Sequence, residues 1–357
     1  MTTRISLISL ITAFLIILFT GTVYYPRFEK TKGEATISFD VSGYYMYLPA
    51  HFIYNDLKKC SFQDEILKKY KMSSSFHQAF LHDESGNYVM KYAIGQSIHF
   101  APFFFIAHYY ATHSDKYESD GFSYPYQLSI SIGSLLIALL GLLVLRLVLL
   151  QYFSDRVVAI SILLLVLGSN YLNYSAIDGA MTHNSLFTIY SLILYFTIKF
   201  YKAPSYKYSL ILGALIGLAT LIRPTEIISF LIPILWNVRL ISYKEITNRF
   251  SLLKSKSNLL LVSFLVCFSI VFIQLLYWKY ASGDWIVYSY QEQGFSWLNP
   301  HIKECLFSYK SGWLSYSPLM VFSLIGYYFL LKRKENNFGT LLLFMLLFMY
   351  INFSWDI

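Results

Sequence analysis

Charged residues are scarce in this chain: Asp, Glu, Lys and Arg make up 13% of its 357 residues. A soluble domain of this length carries about twice that share, so a water-soluble globular protein is excluded. The sequence also contains no internal repeat, low-complexity tract or long soluble segment. We therefore expect one structural unit, residues 1–357, embedded in a membrane.

Cysteine is scarce as well. The three cysteines, Cys60, Cys267 and Cys305, match the spacing of neither a zinc site nor a redox pair. Cys60 and Cys305 fall in loops that are predicted below to lie outside the membrane, where an oxidising compartment permits a disulfide. Unpaired thiols are the alternative, and the sequence leaves both open.

The N-terminal region lacks a signal-peptide cleavage site. Its first apolar segment, residues 5–25, follows Arg4 and contains no small-residue cleavage motif. The segment is longer than the apolar core of a signal peptide. We therefore expect it to be retained as the first membrane span.

Apolar and aromatic side chains are abundant. Hydrophobic residues make up 56% of the chain and aromatic residues 19%, with 32 Tyr and 30 Phe, and the mean hydropathy is +0.49. Apolar runs long enough to cross a bilayer recur, which indicates an all-α, multi-pass membrane protein. The net charge of +8 comes from basic residues scattered between these runs, so no nucleic-acid partner is expected.

The apolar runs predict a transmembrane helical bundle of about nine spans. These spans are 5–25, 127–150, 157–172, 185–202, 208–222, 225–240, 258–278, 314–331 and 339–354. One further segment, residues 95–111, is at the lower length limit for a span. If this segment does not cross, the basic loops lie on the cytoplasmic side, as the positive-inside rule requires. These basic loops are 146–156, 199–207, 239–256 and 332–334.

With that segment as a surface helix, residues 26–126 form a long extracytoplasmic first loop. Its aromatic residues, among them Tyr44, Tyr45 and Tyr47, are expected to hold the loop against the outer membrane surface. We therefore expect a multi-pass protein of the inner or plasma membrane of the cell, with a cytoplasmic N-terminus and membrane lipids as partners.

Ionisable side chains gather at the outer ends of the predicted spans. They are Asp40, Lys91, Asp178, His183, Arg223 and Glu226. Ionisable groups at membrane depth are costly, so each is a candidate functional residue. Each also has a simpler interpretation, such as a solvated loop charge, a turn at Asp178, a helix cap at His183 or a lipid-phosphate contact at Arg223. Their common placement on one face favours function.

These residue types suit one kind of chemistry. A carboxylate at a lipid surface can act as a general base toward an acceptor hydroxyl. A nearby Arg or Lys can hold a phosphate and stabilise its charge as it leaves. An acid with a histidine can orient a substrate or hold a divalent metal. Sugar transfer from a lipid phosphate requires these parts.

Five stretches carry a resemblance to a known family. They are SFDVSGYYMYLPAHFIY, KYAIGQSIHFAPFF, DGAMTHNSLF, GLATLIRPTEII and SGWLSYSPLMVFSLIGYYFLLKR. In their order and spacing the chain resembles the GT-C superfamily of membrane glycosyltransferases. Its nearest branch is that of the bacterial relatives of protein O-mannosyltransferases and of the lipid A aminoarabinose transferase. The resemblance implies an inverting transfer of a hexosyl or pentosyl group from a polyprenyl-phosphate donor to a hydroxyl of a glycan, lipid or protein.

The resemblance also implies roles for single residues. Asp40 would be the catalytic base or the residue that positions the acceptor. The residues that bind substrate or donor would be Lys91, Asp178, His183 and Arg223, and Glu226 joins them as a candidate because of its place on the same face. Asp178 and His183 are also the pair that could hold a divalent metal, on which branches of the superfamily differ. The chain ends at INFSWDI, where relatives usually continue, so the resemblance further implies a C-terminal truncation.

The sequence is also compatible with two other classes of protein. A transporter or flippase of lipid-linked or envelope glycans would do no chemistry. Such proteins usually place ionisable residues near mid-membrane beside broken helices, whereas the spans here are nearly free of charge. A non-catalytic assembly protein is the other alternative, which a truncated chain would favour.

Overall fold

The computed structural model describes residues 4–71, 78–239, 242–310, 312–333 and 335–356. Lys334, one of the basic residues expected on the cytoplasmic side, lies outside them. Within these ranges the chain forms sixteen α-helices and one β-hairpin, which confirms the predicted all-α class. The helices are α1 Arg4–Phe19, α2 Asp40–Tyr45, α3 Tyr47–Phe52, α4 Gln63–Tyr70, α5 Gly95–Thr112, α6 Tyr124–Leu149, α7 Asp155–Gly168, α8 Thr182–Lys202, α9 Tyr206–Ile222, α10 Leu231–Leu235, α11 Tyr243–Ser255, α12 Ser257–Ser282, α13 Ile302–Phe307, α14 Trp313–Tyr316, α15 Val321–Lys332 and α16 Phe338–Phe353. The hairpin pairs β1 Ala79–His82 with β2 Asn87–Met90.

Three helices in the described ranges are long and apolar enough to cross a membrane by length and composition. They are Arg4–Glu29, which continues α1, together with α6 and α12. Four shorter apolar helical segments, Tyr206–Ile222, Pro224–Leu235, Pro318–Lys332 and Phe338–Phe353, add to them. Together they describe a multi-pass membrane protein.

Two of the expected spans are not continuous helices. Residues 224–235 consist of a 3-10 helix followed by the short α10, and a break at Ser317 separates α14 from the next helical segment. Prolines follow Arg223, which separates α9 from this 3-10 helix, and Ser317, and both of these residues leave the helical backbone conformation. Proline disfavours the α conformation of the residue before it and supplies no N–H to the helix, which explains both breaks.

Helices α9 and α12 pack with their backbones in close contact. A Cβ atom at Gly213 would lie 2.3 Å from the carbonyl oxygen of Ser263, and one at Gly217 would lie 3.0 Å from Cα of Cys267. The four-residue spacing puts both glycines on one face of α9, where the absence of side chains lets the second helix approach. The two helices run parallel along this seam.

Helices α1 and α6 run antiparallel. Arg146 Nε donates to Ser6 Oγ at 2.8 Å at one end of the pair, and Gly21 approaches Leu135 at the other. The connection 25–123 therefore begins and ends at the same end of the helical bundle. We call this the loop end.

Helix α5 belongs to the loop end. The hydroxyl of Ser129 in α6 donates to the carbonyl of Phe103 at 2.7 Å, so α5 lies against the first turns of α6. A Cβ atom at Gly95 would lie 2.4 Å from the backbone of Leu221, which places the last turn of α9 at the loop end. Because α8 precedes α9 across a three-residue connection, α8 begins at this end too.

Three tyrosines that were expected to face the membrane surface are buried inside the protein. Tyr44, Tyr45 and Tyr47 are 4%, 0% and 3% exposed and pack with aromatic residues of α5. The Tyr45 hydroxyl donates to Gly121 O at 2.6 Å, and that of Tyr47 donates to Tyr92 O at 2.6 Å. The expectation that these rings face the bilayer is wrong, because internal carbonyls satisfy their hydroxyls and other rings cover them. Cys60, Cys267 and Cys305 are free thiols, so the disulfide does not form.

Candidate functional site

Asp40 is the first residue of α2 and is half-buried. The preceding Phe39 has φ +48° and ψ −131°, which is outside the regions that L-residues favour. Such backbone strain persists only where the surroundings impose it, and it is common at functional sites. The strained backbone at Phe39 therefore sets the position from which the Asp40 side chain extends.

Two tyrosines surround this carboxylate. The rings of Tyr44 and Tyr92 lie with centroids 4.5 Å apart. Burial is the main cause that raises the pKa of Tyr92, and the neighbouring Tyr44 and the hydrogen-bonded Asp40 raise it further. Burial also raises the pKa of Tyr44, on which the charge of Arg223 acts in the opposite direction to that of Asp40. The fold thus brings Asp40 and Arg223 to one phenol although they are far apart in sequence.

A third tyrosine completes the group. Tyr290 comes from the connection after α12, and its ring centroid is 5.9 Å from that of Tyr92. Burial raises the pKa of Tyr290, the Arg223 charge lowers it and the Asp40 charge raises it. We call Tyr44, Tyr92 and Tyr290 the tyrosine cluster. The charges of Asp40 and Arg223 both act on two of its members, Tyr44 and Tyr290.

Lys91 stands beside the tyrosine cluster. Its ammonium group is 5.5 Å from the ring centroid of Tyr92 and 5.7 Å from that of Tyr290. Its carbonyl accepts a hydrogen bond from Ser289 Oγ at 2.7 Å, which ties the first loop to the connection after α12. A cavity of about 610 Å³ opens here. It is lined by Gln78, Ala79, Phe80, Lys91, Ser289, Tyr290, Gln291, Glu292 and Gln293.

Arg223 and His183 lie next to each other. Arg223 Nη2 is 3.5 Å from His183 Nε2, and the His183 ring stacks on Tyr174 with centroids 4.2 Å apart. Arg223 ends α9 in an extended conformation because Pro224 follows. Its side chain therefore leaves the helix at the loop end, where the first turn of α8 carries His183.

Asp178 is occupied by other partners. One carboxylate oxygen forms an ion pair with Arg27, and the other accepts from Asn173 Nδ2 at 2.9 Å. His183, the second residue of the candidate metal pair, faces a guanidinium with its Nε2. A divalent cation between Asp178 and His183 does not fit this arrangement, because both carboxylate oxygens are bonded and a positive group lies beside the imidazole.

Glu226 lies deeper than the other candidates. It is 4% exposed, and it accepts a hydrogen bond from the hydroxyl of Tyr190 in α8 at 2.5 Å. Its amide donates to the Arg223 carbonyl at 2.9 Å within the turn after α9. Glu226 therefore joins α8 to this turn from inside the bundle, while Arg223 faces the tyrosine cluster.

The sequence alone did not indicate three residues of the site. Arg27 pairs with Asp178, Tyr92 holds Asp40 and Tyr174 stacks on His183. Arg27 is one basic residue among many in the first loop, and the two tyrosines are among 32. The position of Tyr92 directly after Lys91 is the one local signal, since a residue adjacent to a candidate phosphate ligand lies near the site.

Comparison with known proteins gives a match to the part of the chain that contains His183 and Arg223. Residues 125–276 match a family described as dolichyl-phosphate-mannose-protein mannosyltransferase, which is a GT-C type family. The matched range is less than half of the chain and contains Arg223 and His183 but neither Asp40 nor Lys91. The search of curated proteins found no match, and neither did the search of solved structures. The family match confirms the resemblance to the GT-C superfamily and supports a membrane glycosyltransferase of the mannosyltransferase type.

Proposed function

We propose that this protein transfers a sugar from a polyprenyl-phosphate carrier to an acceptor hydroxyl on the outer face of the membrane. The observation that carries the proposal is the convergence of Asp40 and Arg223 on the tyrosine cluster. In an inverting transfer the acceptor oxygen and the departing phosphate lie on opposite sides of the anomeric carbon, so the base and the phosphate ligand must both lie near one bound sugar. The charges of Asp40 and Arg223 both act on Tyr44 and Tyr290, which supports such a common site.

The mechanism follows from the charges. The Asp40 carboxylate takes the proton of the acceptor hydroxyl as its oxygen attacks the anomeric carbon. The bond from that carbon to the phosphate oxygen breaks, and its electron pair leaves with the phosphate. Arg223 stabilises the charge on the departing phosphate, with Lys91 as a second cation at the cavity. A single displacement of this kind inverts the anomeric configuration.

The remaining candidates act by positioning. His183 lies beside the guanidinium of Arg223 and orients it. Asp178 holds the first loop through Arg27 and so orients the substrate indirectly. Glu226 anchors the turn that carries Arg223 to α8. No metal-dependent step is assigned to Asp178 and His183.

The arrangement of the bundle supports the outer face. Both ends of the connection 25–123 lie at the loop end, so α5 need not cross the membrane. The candidate residues lie at this end, whereas the basic loops follow the opposite ends of the helices. With the positive-inside rule, this arrangement supports a cytoplasmic basic end and an extracytoplasmic loop end.

The test is sugar transfer by the purified protein in detergent with labelled polyprenyl-phosphate sugars. We expect Asp40→Asn to lower the transfer rate by about 10²–10⁴-fold, the usual contribution of a general base. Asp115→Asn, which changes an exposed acid of the same loop, is the matched control and should leave the rate unchanged. Full activity of Asp40→Asn would refute the role of Asp40. Donor binding by the wild-type protein without any transfer would favour the flippase.

A further inference from the structure

Three metal-ligating side chains meet away from the tyrosine cluster. His82 ends β1, Glu84 lies in the hairpin turn and Asp284 follows the C-terminus of α12. One ligand atom from each residue lies within 4.8 Å of the others. The group joins two segments that are about 200 residues apart in the chain, so the tertiary structure assembles it and local sequence does not.

The distance between two of these ligand atoms is close to that around a bound ion. His82 Nε2 is 3.7 Å from Asp284 Oδ2. Ligand atoms about 2.0–2.2 Å from a tetrahedral ion are about 3.4 Å apart, so a shift of a few tenths of an ångström brings this pair to ligating distance. The other ring nitrogen, His82 Nδ1, is 3.1 Å from Ser85 Oγ. Histidine ligands usually hold such a partner on the nitrogen opposite the metal, which orients the ring.

Contacts outside the group hold the two segments together. Asn87 Nδ2 donates to the Ala281 carbonyl at 2.8 Å. The amide of Met90 donates to the Tyr277 hydroxyl at 2.9 Å. Both bonds join the hairpin to the last turns of α12, so the two segments that carry the ligands are held together without an ion. A preorganised site loses less conformational entropy on binding than a flexible one.

The charge of the group is also suited to a cation. The nearby ammonium groups of Lys59 and Lys279 donate to the backbone carbonyls of Gly86 and Gly283. Among the described residues, the ion pairs include no lysine or arginine with either Glu84 or Asp284. Within the described ranges, the two carboxylates therefore have no lysine or arginine as an ion-pair partner, which leaves them able to bind a cation.

We propose that His82, Glu84 and Asp284 bind one divalent transition-metal ion, with Zn²⁺ as the best match to one nitrogen and two oxygen ligands plus water. The ion clamps the β-hairpin onto the end of α12. Strand β2 leads directly to Lys91 and Tyr92, and the residues after Asp284 lead to Tyr290. The clamp therefore fixes the two segments that form the tyrosine cluster. This proposal does not depend on the sugar-transfer reaction.

The experiment measures metal binding by the purified full chain in detergent. The protein is treated with EDTA, dialysed and titrated with Zn²⁺, and bound zinc is quantified by mass spectrometry. We expect about one ion per chain in the wild-type protein and a higher thermal unfolding temperature when zinc is present. Loss of an outer partner alone costs metal sites about 10–100-fold in affinity, so His82→Ala and Asp284→Asn should lose at least that much.

Asp83→Asn is the matched control, because Asp83 is an exposed acid between two of the ligands and is not part of the group. It should bind zinc like the wild-type protein. Asp284 is 55% exposed in its side chain, so its substitution tests the site even if His82→Ala fails to fold. The proposal is overturned if the wild-type chain takes up no zinc, or if Asp284→Asn binds zinc as tightly as Asp83→Asn does.

Discussion

Asp40 and Arg223 act on the same phenol without forming an ion pair with each other. Within the described residues, the ion pairs of the first loop include Arg27 with Asp178, Lys69 with two acids and the contact of His82 with Asp284, and none joins Asp40 to Arg223. A direct pair between Asp40 and Arg223 would neutralise both groups and weaken the base. Asp40 instead bonds to Tyr92 and Arg223 lies beside His183, which suits the separate roles proposed for the two groups.

The Arg27–Asp178 pair makes a prediction about stability. The two side chains are 16% and 31% exposed, so removing one partner leaves a poorly solvated charge. We expect Asp178→Asn to lower the free energy of unfolding by about 1–3 kcal/mol. The double variant Arg27→Gln with Asp178→Asn should lose less than the sum of the two single variants. Thermal unfolding in detergent, followed by circular dichroism, gives both values.

A surface pair serves as the control for this prediction. Glu118, which pairs with Lys69, is 69% exposed. Exposed pairs contribute about 0–1 kcal/mol, so Glu118→Gln should change the unfolding temperature little. If Asp178→Asn is as mild as Glu118→Gln, the Arg27 pair is a solvated contact and does not hold the first loop.

At the scale of elements, the sequence predicts well where the chain is uniformly apolar. Each expected span contains helix in the described ranges, although 225–240 and 314–331 are interrupted, because a long apolar run in lipid must satisfy its own backbone hydrogen bonds. The breaks before Pro224 and Pro318 depend on single prolines, which the apolar pattern alone does not reveal. The amphipathic α11 and the β-hairpin were not predicted, since short polar segments give weak periodicity and gain stability from tertiary contacts.

The seam between α9 and α12 provides the prediction at this scale. A valine at Gly213 would place its Cβ 2.3 Å from the Ser263 carbonyl oxygen, which is backbone and cannot rotate away. We expect Gly213→Val to cost about 1–3 kcal/mol, as overpacked interiors do. Gly326 in α15 has no atom within 4 Å of a Cβ at that position, so Gly326→Val is the control. Equal unfolding temperatures for the two variants would contradict close packing of α9 on α12.

At the scale of the whole molecule, the candidate site draws on segments that are far apart in sequence. Single charges such as Asp40 and Arg223 stand out in an apolar chain, so the sequence identifies them as candidates. The residues that contact these charges in the folded protein cannot be identified from the sequence in the same way. Arg27 meets Asp178 across 151 positions, and no local pattern encodes that contact. The sequence therefore predicts the charges of the site, and the fold determines which of them are paired.

The orientation of the molecule yields the last prediction, which tests whether α5 crosses the membrane. Single cysteines replace Lys32, Lys116 or Lys207, all exposed, in a chain whose own cysteines are changed to alanine. If α5 does not cross, a membrane-impermeant maleimide labels Lys32→Cys and Lys116→Cys in intact cells but labels Lys207→Cys only after permeabilisation. If α5 crosses, Lys116→Cys is protected and Lys207→Cys is labelled, because every later connection changes sides. That second pattern would place Arg223 and Asp40 on opposite faces of the membrane and remove the basis for a shared site.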